Sequence, residues 1–243
     1  MTPEQYQTLR ARSSLGLITA LRPLTRLLRP RPSPAQWQAW VQSAYPAVYR
    51  ARVEQWETAQ RFYLEERARF GATDPTPVPM RDYAPQALDT GLQDRNVLSR
   101  LDALEDDDPV PTVIVDDTLA VAERHGAAAG RDAIVDAARH DRRALGYART
   151  TTGLENCAFC LMLVSRGPVY KDEDTALLRD GTGEPYHDHC DCIAVPVYDR
   201  GDWPGRDEYL EMEAAWQEHG GDLLHWRRYV EDRVQPEAGP PAT

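Results

Sequence analysis

The chain has 243 residues, of which 42% are hydrophobic and 28% charged, and its net charge is −11. This length and composition are ordinary for a globular protein with one large core or two small ones, and the acidic balance argues against a general nucleic-acid coat. Because no run of about 18 apolar residues occurs and the N-terminal residues lack the apolar centre of a secretory signal, we expect no membrane partner.

The first segment, residues 1–33, is a basic amphipathic arm in this acidic chain. Thr2 fits an N-cap, with Pro3 at the first helical position. Six arginines and several leucines accompany a single acid, Glu4. Two interpretations are open: a solvated helix whose leucines enter a core, or an arm that contacts DNA or an acidic partner. The prolines of Arg29–Pro34 then break the helix.

A long helix follows the arm. Ser33 fits its N-cap and Pro34 its first turn. Aromatic and apolar residues at spacings of three, four and seven give it a buried stripe, which we interpret as core packing. Pro46 is expected to kink or split the helix, and Gly71 to end it.

This helix opens a helical domain predicted over residues 34–150. A proline-rich linker, residues 71–85, interrupts the domain. A short helix then ends in the acidic run Asp106–Asp108, which we interpret as a solvated loop. The last helix is predicted from about Asp116 to Arg149. Its arginine-rich end suits the helix dipole, and the alternative is a contact with an anion or with DNA. We find no internal repeat and no phosphate-binding loop.

All four cysteines lie in two short clusters, and the second cluster also contains two histidines. The stretch "CAFC" contains Cys157 and Cys160, and "YHDHCDC" contains His187, His189, Cys190 and Cys192. Two thiolates three residues apart can both enter one tetrahedral site. We expect the chain to be made in a reducing cytoplasm, where such clusters indicate metal binding rather than disulfides. The sequence therefore predicts a Zn²⁺ site.

The spacing leaves the identity of the ligands open. His187 and Cys190 repeat the three-residue offset of the first cluster, which gives a site of Cys157, Cys160, His187 and Cys190. Cys190 and Cys192 are instead two residues apart and would share one face of a strand, which gives an all-cysteine site. Both arrangements stay open at the level of sequence.

The zinc is expected to be structural. Six candidate ligands are available, so protein groups can easily fill all four coordination positions of the metal; His189 is the least favoured of the six. Thiolate ligands also reduce the Lewis acidity of the metal. The zinc would staple a small module over residues 151–200, with short strands at Gly167–Lys171 and Cys192–Tyr198. Pro196 marks an edge strand or a bulge.

Residues 201–243 are predicted to contain two helices and a flexible tail. The helices cover Arg206–Glu218 and Asp222–Arg233, and their aromatic and apolar residues suit a hairpin or docking on another subunit. The predicted fold is therefore mainly α, with a small zinc-stapled α+β module near the C-terminus.

The cysteine clusters carry a resemblance to a known family. "CAFC" followed by "HDHCDCIAVP" resembles the end of the phage Mu F-like head morphogenesis family, in the version found in phages of actinobacteria. Ser165–Tyr170 and the helical stretch Tyr45–Arg69 are also similar to that group. Asp188 and Asp191 depart from its commoner H-P-x-C-R-C form. The family's motif positions correspond to Cys157, Cys160, His187, Cys190 and Cys192.

The resemblance implies a function. Proteins of this family are minor head (capsid) proteins of tailed bacteriophages, associated with the portal and packaged in the capsid. It therefore implies that this chain is made in the host cytoplasm and located in the virion, in the capsid interior or the portal region. Its expected partners are the portal and other phage head proteins, with phage DNA as a further partner through the basic arm.

Two enzymatic functions are alternatives to this interpretation. Some relatives in that family are labelled capsid maturation proteases, but the serines here lie in no nucleophile-elbow pattern and the remaining histidines lack a triad partner in the sequence. A zinc-stapled HNH-type nuclease is the main rival, with His189 between Asp188 and Asp191 activating water. Its expected second catalytic His or Asn is not visible after Cys192. We therefore expect no catalytic residues and no enzyme activity.

Overall fold

The fold was analysed in a computed structural model, which describes residues 1–72, 74, 78–151, 156–169 and 192–234. The described chain is mainly helical with a small two-stranded sheet, so the predicted mainly α class is confirmed. Two compact units take their described residues from Met1–Glu65 and Pro77–Ala133, and from Glu66–Thr76, Ile134–Pro185 and Cys190–Thr243. This division reflects packing. The domain boundaries predicted from composition and motifs stay predictions.

The first unit begins with α1 (Pro3–Thr25). The Thr2 hydroxyl accepts a hydrogen bond from the Gln5 N–H, and the Gln5 side chain accepts one from the Thr2 N–H, so a capping box starts the helix. Leu17 and Leu21 are buried, whereas Leu15 is 64% exposed. Part of the leucine face of α1 therefore belongs to the core of this unit.

The second helix, α2 (Pro34–Arg69), passes through Pro46 without a break, so of the two predicted effects of Pro46, a kink or a split, the split is wrong. A proline removes one backbone hydrogen bond. On both sides of it, however, Val41, Ala44 and Val48 are fully buried, and burying these side chains favours a continuous helix. The helix ends shortly before Gly71, as predicted, and Gly71 has a left-handed φ of 75°.

Two short helices follow, where the sequence suggested one. They are α3 (Pro85–Asp94) and α4 (Val97–Asp102), and Asn96 separates them with a left-handed φ of 59°. The next helix, α5 (Thr112–His140), has residues in both units. The core of the first unit is formed by buried side chains from all five helices and the segment after α1, including Leu17, Leu28, Trp37, Trp40, Val48, Leu88, Leu101 and Val121.

The second unit contains the sheet and three further helices. Strand β1 (Gly146–Thr150) pairs antiparallel with β2 (Ile193–Val197), with Gly146 opposite Val197 and Thr150 opposite Ile193. Between the strands lies α6 (Ala158–Val164), and after them come α7 (Arg206–His219) and α8 (Leu223–Val234).

The predicted helix from Asp116 to Arg149 is wrong at its C-terminal end. The helix stops at His140, and the last four residues of the predicted range form the buried strand β1 together with Thr150. The partner strand β2 lies more than 40 residues further along the chain, so the local spacing of apolar residues does not reveal the pairing. Pairing with β2 and burial of Tyr147 override the helical tendency of this arginine-rich segment.

A buried ion pair fixes the turn between α5 and β1. Arg67 Nε lies 2.7 Å from Asp141 Oδ2, and the side chains are only 4% and 3% exposed. The same carboxylate accepts hydrogen bonds from the Arg143 backbone N–H and from the Tyr198 hydroxyl. Arg67 also pairs with the exposed Asp74. These bonds tie the residue that follows α5 to α2 and to the end of β2.

The predicted strand over Cys192–Tyr198 is confirmed by β2, whereas the described part of Gly167–Lys171, up to Val169, is a turn. Pro196 lies opposite Tyr147 in the two-stranded sheet. Each described strand is an edge, which tolerates the missing N–H of proline. The two predicted C-terminal helices are confirmed by α7 and α8 to within one residue at each end.

None of the helices in the described part of the chain combines the length and the apolar character needed to cross a membrane.

Candidate metal centre

Three of the six predicted zinc ligands lie among the described residues and form no disulfide there: Cys157, Cys160 and Cys192. The other three lie outside them: His187, His189 and Cys190. Within the described ranges, no three His, Cys, Asp or Glu side chains are grouped so that they could hold a metal ion. The complete ligand set therefore stays a prediction.

The first cysteine cluster forms the start of α6. Cys157 is the N-cap, with extended φ and ψ angles of −69° and 151°, and its Sγ accepts a hydrogen bond of 3.3 Å from the Cys160 N–H. Cys157 is exposed, whereas Cys160 is 2% exposed. A sulfur that accepts a backbone N–H at a helix start is stabilised as a thiolate, the form that binds metals.

The aromatic side chains of α7 and α8 hold this cluster in place. Trp226 is fully buried, and its indole Nε1–H donates a 2.7 Å hydrogen bond to the carbonyl oxygen of Ala158, next to Cys157. Trp216 meets the Trp226 ring edge-on at 5.1 Å, and Tyr229 stacks on it at 5.3 Å. Helix α6 also contacts β1. The start of α6 is therefore anchored on a packed aromatic cluster.

No pattern in the sequence indicated that Trp226 supports the cysteines. Its spacing from Trp216 and Tyr229 indicated an apolar face, and the structure shows that face covering α6. The same helices leave Leu223 and Leu224 50% and 59% exposed, so these two leucines are not part of that packing.

Cys192 is fully buried immediately before β2, and its thiol contacts a guanidinium. Arg149 Nη1–H donates to Cys192 Sγ over 3.4 Å, and Arg149 itself is 1% exposed. A nearby cation favours a thiolate over a thiol. The sequence prediction placed Arg149 at the C-terminal end of a helix and missed this role, because the pairing of β1 with β2 brings the two residues together.

The described donors fit zinc chemistry. Zinc prefers thiolate sulfur and imidazole nitrogen, and the protein groups around these thiols favour the thiolate. At the first cluster the group is a backbone N–H, and at Cys192 it is a guanidinium. Both sulfur environments belong to the second unit.

A buried histidine in the first unit has a packing role. The Tyr83 hydroxyl lies 3.1 Å from His125 Nδ1, and Arg52 Nη1 donates to the His125 carbonyl oxygen over 2.7 Å. Burial, followed by the charges of Arg124 and Arg52, lowers the pKa of His125 to about 4. The ring is therefore neutral at pH 7 and packs closely against the backbone of Gly91.

The class of protein follows from comparison with known proteins. Residues 2–219 match the model of a family described as VG15 protein, and the chain belongs to that family. It is similar to the Gene 15 protein of Mycobacterium phage D29, with 29% identity over 220 residues that cover 79% of this chain and 78% of the relative. It is also similar to the Gene 15 protein of Mycobacterium phage L5, with 27% identity over 259 residues and coverages of 90% and 85%.

These matches identify a bacteriophage protein related to mycobacteriophage Gene 15 proteins. The phage origin implied by the cysteine motifs is thereby confirmed. The closer link to the Mu F-like head morphogenesis family stays a prediction. No solved structure matches the chain.

Proposed function

We propose that this protein is a minor head protein of a tailed bacteriophage, associated with the portal and head assembly, and that its cysteines hold a structural zinc. The observation that carries the proposal is the pair of thiolate environments in a phage protein: Cys157 at the N-cap of α6 and Cys192 against Arg149. The combination of phage origin with these clusters supports membership of the Mu F-like group.

Cys157, Cys160 and Cys190 would hold the zinc, with either His187 or Cys192 as the fourth ligand. Bound zinc would cross-link chain segments that are distant in sequence. The residues of the chain prepare the site: the Cys160 N–H and the Arg149 guanidinium donate to sulfur, and Trp226 fixes the carbonyl next to Cys157. A thiolate-rich, closed site supports a structural rather than a catalytic role.

The proposed location is the virion, in the capsid interior or at the portal. Arginines are concentrated at the end of α1, where Arg22, Arg26 and Arg29 are exposed. They supply a basic surface that suits an acidic head protein or phage DNA. We propose no catalytic role for the chain.

The metal is tested by measuring zinc in the purified full-length protein. We expect about one zinc per chain, and we expect Cys157→Ser to remove it. Ala158→Ser is the matched control, because it changes the neighbouring residue and keeps both thiols. Parallel His187→Ala and Cys192→Ala variants identify the fourth ligand as the one whose loss removes the metal. A wild-type protein that folds fully without zinc would contradict the metal proposal.

The location is tested by complementing a phage that lacks this gene. Purified particles should contain the wild-type chain and should release it together with the portal. Cys157→Ser should lower the number of infectious particles, whereas Ala158→Ser should not. Accumulation of uncleaved major capsid protein would favour the protease alternative. Metal-dependent nicking of plasmid DNA that is abolished by His189→Ala would favour the nuclease.

A further inference from the structure

A small apolar groove lies on the first unit beside the end of α1. Its volume is about 200 Å³. The side chains that define it come from the segment after α1, from α2 and from α4: Leu27, Leu28, Pro32, Trp37, Trp40 and Leu101. Leu27 is 57% exposed, although leucine is among the residues most often buried in a protein core. The groove therefore presents apolar surface to solvent.

The polar atoms of the two indoles are already satisfied inside the protein. Trp37 Nε1–H donates to Asp89 over 2.7 Å, and Trp40 Nε1–H donates to the Leu24 carbonyl oxygen over 2.8 Å. The groove is therefore mainly apolar, with Gln36 and Ser43 as further polar residues of its lining. Small-molecule sites usually measure about 300–1,000 Å³. A smaller apolar groove suits a single bulky side chain of a partner, as at the anchor positions of protein interfaces.

The rim of the groove is basic at Arg29. Arg29 lines it and is exposed. Arg22 and Arg26 are also exposed, and their spacing of four residues places them on one side at the end of α1. Among the described residues, no carboxylate lies within ion-pair distance of these three guanidiniums, whereas Arg31 pairs with Glu105 and Asp106. A cluster of unpaired cations in a chain of net charge −11 is complementary to an acidic partner.

We propose that this groove docks an acidic segment of another protein, with one bulky apolar side chain seated against Leu27 and carboxylates facing Arg26 and Arg29. The inference deepens the proposed function, because it supposes that the partner is another head protein. A peptide is favoured over a nucleic acid by the burial of the indoles. Trp37 and Trp40 are 3% and 6% exposed and offer no open ring face on which a base could stack.

The proposal is tested with full-length protein and a panel of labelled synthetic peptides. Each peptide carries glutamates around a central leucine or phenylalanine, and matched peptides replace the central residue with serine or the glutamates with lysine. We expect binding only by the acidic peptides with an apolar centre, and weaker binding as salt rises. Equal binding of the serine peptides, or no binding of any acidic peptide, would overturn the proposal.

Matched variants locate the binding surface. Leu27→Ser and Arg29→Glu should each weaken peptide binding about tenfold or more, which corresponds to about 1.4 kcal/mol. Leu15→Ser and Arg12→Glu are the controls, because they change an exposed leucine and an exposed arginine of α1 that do not line the groove. Thermal unfolding establishes that all four variants fold. Equal weakening by the controls would overturn the assignment of the groove.

Two further measurements separate the alternatives. Duplex DNA that binds wild-type protein and Leu27→Ser equally, but not Arg29→Glu, would assign the basic rim to nucleic acid instead. Sedimentation that shows Leu27→Ser breaking a dimer would assign the groove to a second copy of the chain. In complemented phage, Leu27→Ser should lower the amount of chain per particle relative to Leu15→Ser. Equal amounts overturn the groove proposal alone, whereas particles that lack even the wild-type chain overturn the proposed function.

Discussion

The buried pair of Arg67 and Asp141 offers a sharp test of how the second unit is held together. The contact of 2.7 Å joins two side chains that are 4% and 3% exposed. Replacing Arg67 with Met removes the guanidinium and leaves the buried Asp141 carboxylate with neutral donors such as the Arg143 N–H and the Tyr198 hydroxyl. Removing one partner of a buried pair costs about 3–5 kcal/mol. We expect about 3 kcal/mol, because these two donors still stabilise the carboxylate.

The assay is urea unfolding of the full-length protein, followed by circular dichroism and by tryptophan fluorescence. Arg227→Met is the matched control in the same unit, because Arg227 forms an exposed i,i+4 pair with Glu231, and such pairs contribute about 0.3–0.5 kcal/mol. The double variant Arg67→Met/Asp141→Leu should recover most of the lost stability, since no buried charge is left unpaired. A cost for Arg67→Met no larger than that for Arg227→Met would refute the reasoning.

Three further predictions concern a titration, a close contact and the metal. The pKa of His125 is lowered from 6.5 to about 4, so the unfolded chain binds the proton more tightly than the folded chain does. The stability of the first unit should therefore fall by about 3 kcal/mol as the pH falls from 6.5 to 4. Urea unfolding at a series of pH values measures this fall, and His125→Gln should reduce it. A Cβ at Gly91 would lie 2.2 Å from His125 Nε2, so Gly91→Ala should destabilise the protein by about 1–3 kcal/mol. At Gly16, within α1, a Cβ would meet nothing within 4 Å, so Gly16→Ala should stabilise the protein by about 0.5–1 kcal/mol. Equal unfolding midpoints for the two variants would contradict the packing described around His125. Zinc chelation should expose the predicted module, residues 151–200, to protease before the long helices, and simultaneous cleavage of both would contradict a zinc that staples this module.

The sequence by itself determined the features that depend on neighbouring residues. The helix starts at Thr2 and Ser33 were predicted because each capping residue directly precedes a proline, and in the structure Gln5 and Gln36 complete the two capping boxes. The strand predicted over Cys192–Tyr198 is present as β2, Ile193–Val197. The clustering of the cysteines identified the candidate metal centre, and the phage origin that the motifs implied is confirmed by the family match.

Tertiary structure decided the features that depend on distant partners. Residues 146–150 became a strand because β2 pairs with them, and that pairing brings Arg149 to Cys192 and away from solvent. Pro46 stays within α2 because the side chains around it are buried in the core. Trp226 supports Cys157 through a hydrogen bond that spans 68 positions of sequence. In each case, burial and hydrogen bonding with residues far along the chain outweigh the local preference, and no short window of sequence contains both partners.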